Sequence, residues 1–229
     1  MPITDNFNRA DGGLGAGWEH VAGGSAMVIN SNAAQAGASF QRETMRRSEA
    51  SFPADHYSQA ECSFTTGAES AQTGVTVRTD GSGNCYYLSL DTGGCALRKI
   101  VAGSDTFITD YVSAHTASVF YTMRLTVIGD EITIHEDTVL KLTTNDSSLT
   151  TGRPGIFADG NLDKPDLDDF ESTDALSEEG GYYLLENGTD RYQLEDSSGL
   201  LTMEGDFPAG GDPFPAGYGR NWQNTLIRM

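Results

Sequence analysis

The chain has 229 residues, 27 of them glycine, and its 14 Lys and Arg against 33 Asp and Glu leave a formal net charge of −19. This length suffices for one large β-sandwich, or for one domain with an extension. A surface so acidic repels phosphate backbones and anionic lipid, so we expect neither nucleic acid nor a membrane as a partner.

The start of the chain lacks a basic segment followed by an apolar run, which predicts that there is no leader peptide. No apolar stretch approaches the length of a membrane span. The turn Asp91–Gly94 is expected to pair Leu90 with Cys95 and Cys85 with Ile100, so the two sulfurs are out of register for a disulfide. These features predict a protein made in a reducing cytosol.

Short strands with alternating apolar and polar side chains are predicted through the first half of the chain. Phe7 lies in a short polar strand, and Trp18 is predicted to pack in the core. In the strand 56–65 the even positions face the core. In the strand 73–79, Val75 and Val77 face inward and Arg78 points outward. The strands expected next are 85–90, 95–101 and 107–112.

A three-stranded meander is the clearest pattern of the sequence. Every second residue from Val119 to Val127 is apolar, which predicts a strand with one buried face, and Gly129-Asp130 signals a tight turn. The alternation resumes through Ile134, and a second turn at Glu136-Asp137 precedes Val139 to Leu142. With no helical period anywhere near it, this pattern predicts an all-β protein.

Three groups of residues carry a family resemblance: the opening DNFNRADGGLGAGW, the middle GVTVR with NCYYLSLD, and the closing LTTGRPGIFA with DDFE. Together they resemble the concanavalin A-like lectin/glucanase jelly roll, in its laminin G-like branch, over about residues 5 to 171. That branch occurs in bacterial surface proteins and bacteriophage virion proteins. The resemblance implies that the first and last strands lie side by side, with residues 5–7 against residues 169–171.

We therefore predict a jelly-roll β-sandwich over residues 1–172, an acidic linker with a small β-meander over 173–206, and an irregular arm over 207–229. The meander is suggested by a loose repeat of short strands and turns, and it resembles segments of phage structural proteins. The arm is rich in proline and glycine yet keeps several large apolar residues, so it is predicted to dock on a neighbouring subunit. The candidate docking residues are Phe207, Phe214, Tyr218 and Trp222.

Carbohydrate binding is a second hypothesis, because this fold offers aromatic side chains on its concave sheet. The residues selected for it are Arg78, Tyr87 and Tyr111, with Tyr87 pointing away from the inward set of Tyr86, Leu88 and Leu90. Each of the three could equally be ordinary surface. Three nearby arginines, Arg42, Arg46 and Arg47, could grip a carboxylate or an acidic glycan, but a solvated face is the preferred interpretation.

Two acidic clusters are candidates for chemistry. Asp166, Asp168 and Glu171 are the nearest match to the alternating carboxylates of the glucanase relatives, but in a regular strand Glu171 falls on the face opposite Asp168. Asp159, Asn161 and Asp163 have spacing that suits a calcium ion bound in a loop, with a solvated acidic loop as the alternative. No catalytic residue and no obligatory cofactor are predicted.

The main hypothesis is a non-enzymatic structural protein of a bacteriophage virion, made in the host cytoplasm. It would act as a capsid decoration or as a fibre on the head or tail, through contacts with other virion proteins in a homo-oligomer or array. The alternative is an adhesin that binds a host surface glycan, and the third possibility is a polysaccharide-cleaving glycosidase.

Overall fold

The computed structural model describes residues 2–37, 41–49, 51–65, 71–160 and 164–174, together with the backbone of short strands at 183–184, 191–195 and 200–204. The chain divides into two compact units, Met1–Ala175 and Leu176–Met229. Regular structure in the described part is entirely β, as the sequence predicted. Within those residues no helix is both long and apolar enough to cross a bilayer.

The first unit contains two antiparallel sheets, whose strands are numbered here in chain order. One sheet, called the nine-stranded sheet, has the order β14-β13-β12-β7-β16-β5-β4-β2, and β1 also pairs with β16. Its members are β1 (Ile3–Asp5), β2 (Gly12–Gly13), β4 (Val28–Asn30), β5 (Ala33–Gln35), β7 (His56–Cys62), β12 (Tyr121–Ile128), β13 (Glu131–Glu136), β14 (Val139–Asn145) and β16 (Leu167–Asp174).

The other sheet, called the seven-stranded sheet, has the order β11-β10-β9-β8-β15-β6-β3. Its members are β3 (Trp18–Ala22), β6 (Gln41–Arg47), β8 (Gln72–Thr79), β9 (Cys85–Asp91), β10 (Gly94–Val101), β11 (Ser104–Val112) and β15 (Arg153–Gly160). The two sheets form a sandwich, and one continuous apolar core contains side chains from both of them.

The core is built by the alternation that the sequence displays. Leu125 and Val127 of β12 and Ala60 of β7 are fully buried, as are Val75 and Val77 of β8 in the opposite sheet. Burial of each larger aliphatic side chain contributes about 1.5 to 3 kcal/mol to folding. The predicted inward positions are therefore confirmed on both sheets.

The first and last strands lie side by side as the resemblance implied, but residues 3–5 pair with residues 170–172 instead of residues 5–7 with residues 169–171, and Phe7 follows the first strand. Asp5 pairs with Phe170, and Phe7 is fully buried. The ring of Trp18 lies between them, with centroids 6.0 Å from Phe7 and 4.8 Å from Phe170. This aromatic cluster places Trp18 in the core and joins the first strand to the closing strand.

The hairpin β9–β10 has the predicted register. Leu90 pairs with Cys95, and Cys85 pairs with Ile100. Both cysteines are buried and free, and so is Cys62. Burial raises the pKa of all three thiols, to about 12 for Cys85, so they pack as small apolar groups.

One turn of the central meander lies a residue later than predicted. β13 continues through Glu136, and the turn is made by Asp137 and Thr138, which both have positive φ. The second unit contains a three-stranded antiparallel sheet formed by β17 (Tyr183–Leu184), β18 (Arg191–Glu195) and β19 (Leu200–Glu204), as its repeat predicted. The proposed arm, 207–229, lies outside the described residues.

Candidate functional site

The outer side of the seven-stranded sheet carries a second, small cluster of buried side chains. Tyr87 pairs with Thr76 on one side and Arg98 on the other, and it points away from the inward Tyr86 and Leu88. It packs with Phe157, whose ring centroid lies 5.0 Å away in an edge-on arrangement. The predicted orientation of Tyr87 is therefore confirmed.

The expectation that the Tyr87 ring is exposed is wrong, because an arginine covers it. The guanidinium of Arg42 lies 4.6 Å from the centroid of Tyr87 and 5.8 Å from that of Phe157. Such stacking is favourable because the cation meets the negative face of each ring. Only 1% of Tyr87 is exposed, so its ring cannot offer a stacking platform.

The hydroxyl of Tyr87 organises a polar network above this covered ring. It accepts hydrogen bonds from Arg42 Nη1 (2.7 Å) and Arg98 Nε (3.0 Å) and donates one to Asp105 Oδ2 (2.6 Å). The same carboxylate accepts hydrogen bonds from Arg42 Nη1 at 2.8 Å and from Arg98 Nε at 3.0 Å. Partial burial raises the pKa of Asp105, but the bonds from Tyr87, Arg42 and Arg98 outweigh it and hold that pKa below its usual value.

The exposed part of this surface is formed by Arg98 and Phe107. Phe107 lies on the edge strand β11 directly opposite Arg98, so both side chains project from the same face. Phe107 is 50% exposed, and the Arg98 side chain is 32% exposed. The five residues Arg42, Tyr87, Arg98, Asp105 and Phe107 are called the Tyr87 face below.

Sequence reasoning missed Phe107 and Arg98. A β-bulge between Leu97 and Arg98 shifts the register of β10 against β11, so the partner of Arg98 could not be read from a regular alternation. The signal in the sequence was the adjacent pair Phe107-Ile108, because two neighbouring large apolar residues in a polar strand interrupt the alternation, as a bulge does.

Four arginines lie on the same outer surface. Arg42, Arg46, Arg98 and Arg153 all lie there, out of 14 Lys and Arg in the whole chain. Arg46 and Arg153 share one carboxylate, Glu19, at 2.8 and 3.4 Å. Arg47 differs from its neighbours in sequence, because it turns to the other side and stacks 4.8 Å from the ring of Trp18.

Arg78 is not on an accessible surface, which corrects the expectation that it points outward into solvent. Only 2% of it is exposed. Its guanidinium donates to the backbone oxygens of Ala54 (3.1 Å) and Leu149 (2.7 Å) and pairs with Asp55 at 3.2 Å. Its positive φ of 51° breaks the alternation of β8 at this point, so Arg78 joins loops instead of facing a ligand.

Tyr111 also lies away from the Tyr87 face. It pairs with Cys95, packs partly buried against the main core, and donates a hydrogen bond to Glu136 Oε2 at 2.6 Å. The three residues selected from the sequence for glycan binding are therefore not brought together, and only Tyr87 belongs to the surface described here.

The calcium and docking predictions remain open to test. Asp159 lies near the end of β15, where its carboxylate is 3.5 Å from Arg42 Nη2, and its companions Asn161 and Asp163 lie outside the described residues. In the part of the chain that is described, no group of three or more His, Cys, Asp or Glu side chains is arranged to hold a metal ion. Phe207, Phe214, Tyr218 and Trp222 also lie outside the described residues.

A second polar surface lies on the outer side of the nine-stranded sheet. Asp168 pairs with Glu61 and Glu171 pairs with Gln59, with a bulge between them at which Asp169 has φ 45°. Since Glu61 and Gln59 are two residues apart on β7, their partners project from the same side. The prediction that Asp168 and Glu171 lie on opposite faces is therefore wrong, because the bulge adds a residue between them.

The acidic side chains of this surface repel one another, which raises the pKa of two of them. Burial, followed by repulsion from Asp169 and Asp166, raises the pKa of Asp168, and burial with repulsion from Asp169 and Asp168 raises that of Glu61. Tyr57 donates its hydroxyl to Glu171. A cleft of about 440 Å³ lies beside these acids, lined by Thr4, Asp5, Asn6, Asp169, Phe170 and Glu171.

Comparison with known proteins places the fold. No family model matches the chain, and no curated protein matches its sequence. The carbohydrate binding module CBM66 from Bacillus subtilis is 18% identical, with a TM-score of 0.58 over 69% of this chain and 95% of that one. The apo Crh5 transglycosylase is 12% identical, with a TM-score of 0.53 over 89% of this chain and 93% of that one.

A third similar structure is SCLam, a non-specific endo-β-1,3(4)-glucanase from family GH16. It is 10% identical, with a TM-score of 0.53 over 75% of this chain and 90% of that one. The chain is thus a concanavalin A-like jelly-roll sandwich, with the architecture of carbohydrate-binding modules and GH16 glucanases. None of these three structures is a virion protein, so the virion assignment stays a prediction without support from them.

Proposed function

We propose that this domain binds carbohydrate through the Tyr87 face. The observation that carries the proposal is the exposed ring of Phe107 beside the fixed polar network of Arg98, Asp105 and the Tyr87 hydroxyl. Sugars present an apolar face of C–H groups and a rim of hydroxyls, so they suit a site with one aromatic surface and a few oriented polar groups. One structural neighbour, CBM66, is a carbohydrate binding module.

The network favours binding because it is held in place before a ligand arrives. Arg42 is fixed by stacking on Tyr87 and by Asp105, and Arg98 is fixed by the Tyr87 hydroxyl and Asp105. A side chain that is already ordered loses little conformational entropy on binding, whereas ordering a free one costs about 0.5 to 1.5 kcal/mol. The fold therefore offers a preorganised polar rim around an exposed ring.

Titration calorimetry against a panel of soluble polysaccharides tests the proposal. Phe107→Ala removes the stacking surface and is expected to weaken binding about tenfold, which corresponds to about 1.4 kcal/mol. Val112→Ala is the matched control, since Val112 lies on the same strand and is 91% exposed but is not part of the Tyr87 face. Absence of binding to any polysaccharide, or equal binding by Phe107→Ala and the parent protein, would overturn it.

A second candidate, polysaccharide cleavage, is favoured by the bulge that puts Asp168 and Glu171 on one face beside Glu61. A pair of carboxyl groups with different proton affinities is the arrangement that glycoside hydrolysis uses. The raised pKa of Asp168 suits a proton donor. Release of reducing ends that is lost in Asp168→Asn and kept in Asp169→Asn would support this candidate, and no release from any polysaccharide would end it.

The location on a virion, the contacts with other virion proteins and the oligomeric array are retained as predictions. They are compatible with carbohydrate binding, because an adhesin on a particle can have the same fold. Mass spectrometry of purified particles with copy counting tests them, since a decoration protein is present in a high, symmetry-related copy number.

A further inference from the structure

We infer that the Tyr87 face is selective for acidic polysaccharides, with Arg98 binding a sugar carboxylate while Phe107 stacks on the same sugar. The inference rests on the proposed carbohydrate binding and deepens it by naming the ligand class. Three features of the described residues carry it: the open hydrogen-bond donors of Arg98, the position of Phe107, and the way charges are shared around Asp105.

The guanidinium of Arg98 has hydrogen-bond donors that no described residue accepts. Within the described part of the chain it donates hydrogen bonds to the Tyr87 hydroxyl and to Asp105, and both are made by Nε. Its two terminal amino groups have no partner among the described residues, and the side chain is 32% exposed. A guanidinium held at Nε presents these two groups as a planar pair, which matches the two oxygens of a carboxylate.

Phe107 lies where the rest of the same sugar would be. Directly opposite residues on neighbouring strands have Cβ atoms about 5 Å apart, so the exposed ring and the guanidinium lie side by side. A uronic acid has its carboxylate at the edge of a ring whose C–H face is apolar. One uronate residue can therefore contact Phe107 and Arg98 together, and a neutral hexose lacks the charged half of this interaction.

The charges around Arg98 favour the binding of one further anion. Arg42 and Arg98 share the single carboxylate of Asp105, and the further contact of Arg42 with Asp159 is long, at 3.5 Å. Arg42 Nε is buried and has no hydrogen-bond partner among the described residues. The net charge of −19 opposes a polyanion at long range, but beyond about 8 Å it is largely screened at physiological ionic strength. A carboxylate on the terminal amino groups of Arg98 would contact the guanidinium directly, while Asp105 is held at Nε of the same side chain.

A matched pair of ligands tests the inference at physiological ionic strength. The probes are polygalacturonate, alginate and hyaluronan, each compared with its methyl ester, which keeps the backbone and removes the charge, and with neutral β-glucan and xyloglucan. We expect at least one acidic polymer to bind about tenfold more tightly than its ester. Arg98→Gln should remove this preference, because it should weaken binding of the acidic polymer about tenfold more than binding of its ester. Arg98→Lys should recover part of the preference, because it restores the charge without the planar pair.

Lys141→Gln is the control variant, since it changes the net charge equally on the other sheet, 3.7 Å from Glu136. Equal affinity for acid and ester, or an unchanged preference in Arg98→Gln, overturns the inference. If neutral polymers still bind in a way that depends on Phe107, the proposed function remains intact. The absence of binding to any polymer overturns both. Thermal melting of each variant shows whether the sandwich is still folded.

Discussion

The indole N–H of Trp18 donates a hydrogen bond to Asp5 Oδ2 at 2.8 Å, beneath the strand pair in which Asp5 lies opposite Phe170. The same carboxylate accepts hydrogen bonds from Arg9 Nη1 at 2.6 Å and from the backbone N–H of Phe7 at 2.9 Å. One short side chain thus joins the end of the first strand to the indole of Trp18, whose ring packs on Phe170 of the closing strand.

Asp5→Ala is expected to destabilise the sandwich by about 2 to 3 kcal/mol, because it leaves the buried indole N–H of Trp18 without a partner and frees Arg9. Urea denaturation followed by Trp fluorescence measures the change. The control is Asp110→Ala, whose side chain is exposed on β11. Equal midpoints for the two variants would show that Asp5 has no such role.

The stability of the sandwich should fall as the pH drops from about 6.5 to 4. His56 is fully buried, and burial lowers its pKa to about 4. Its Nδ1–H donates to Pro53 O at 2.8 Å, while Nε2 accepts the backbone N–H of Arg78 at 3.2 Å, which requires the neutral ring. Below pH 6.5 the unfolded chain binds a proton at this histidine and the folded chain does not, so stability is lost by about 3 kcal/mol down to pH 4.

This loss is measured as the free energy of unfolding in urea at a series of pH values. In His56→Gln the titrating group is absent, so its curve should be flatter than that of the parent protein between pH 6.5 and 4. Parallel curves for the two proteins would contradict the assignment of the effect to His56.

Gly74→Ala should destabilise the seven-stranded sheet under the Tyr87 face. A Cβ at Gly74 would lie 2.2 Å from Leu88 O and 2.3 Å from Phe157 Cε1, and the backbone atom cannot move aside without disturbing β9. Overpacking of this kind costs about 1 to 3 kcal/mol. Gly13→Ala is the control, because its Cβ meets no atom within 4 Å. Circular dichroism melting curves that coincide for the two variants would disprove the close approach.

Tyr86 and Tyr87 are neighbours in sequence with opposite roles, and their phenylalanine variants should separate stability from binding. Tyr86 points into the core and donates its hydroxyl to Asp146 Oδ1 at 2.7 Å, so Tyr86→Phe is expected to lower stability by about 1 kcal/mol without changing glycan affinity. Tyr87→Phe removes the hydroxyl that orients Arg98, so it should weaken glycan binding several-fold. The reverse result would place the binding surface elsewhere.

The features that the sequence predicts correctly are local ones. Leu125 and Val127 alternate with polar residues, and the turn after Leu90 sets the register of Cys95, because side-chain direction and hairpin register depend on residues close in the chain. The meeting of Asp5 with Phe170 is not local, and it was predicted only through the family resemblance.

The site depended on the tertiary structure. Phe107 comes to lie opposite Arg98 through a bulge, Asp168 and Glu171 share a face through another, and Arg42 covers Tyr87 from a strand that is distant in sequence. A bulge reverses the parity of every residue after it, and the partner across a sheet is chosen by packing of the whole sandwich. The amino-acid sequence thus determined an all-β sandwich with its core residues. Only the assembled sheets decided which polar and aromatic side chains became neighbours on its outer faces, because those contacts join residues from separate strands.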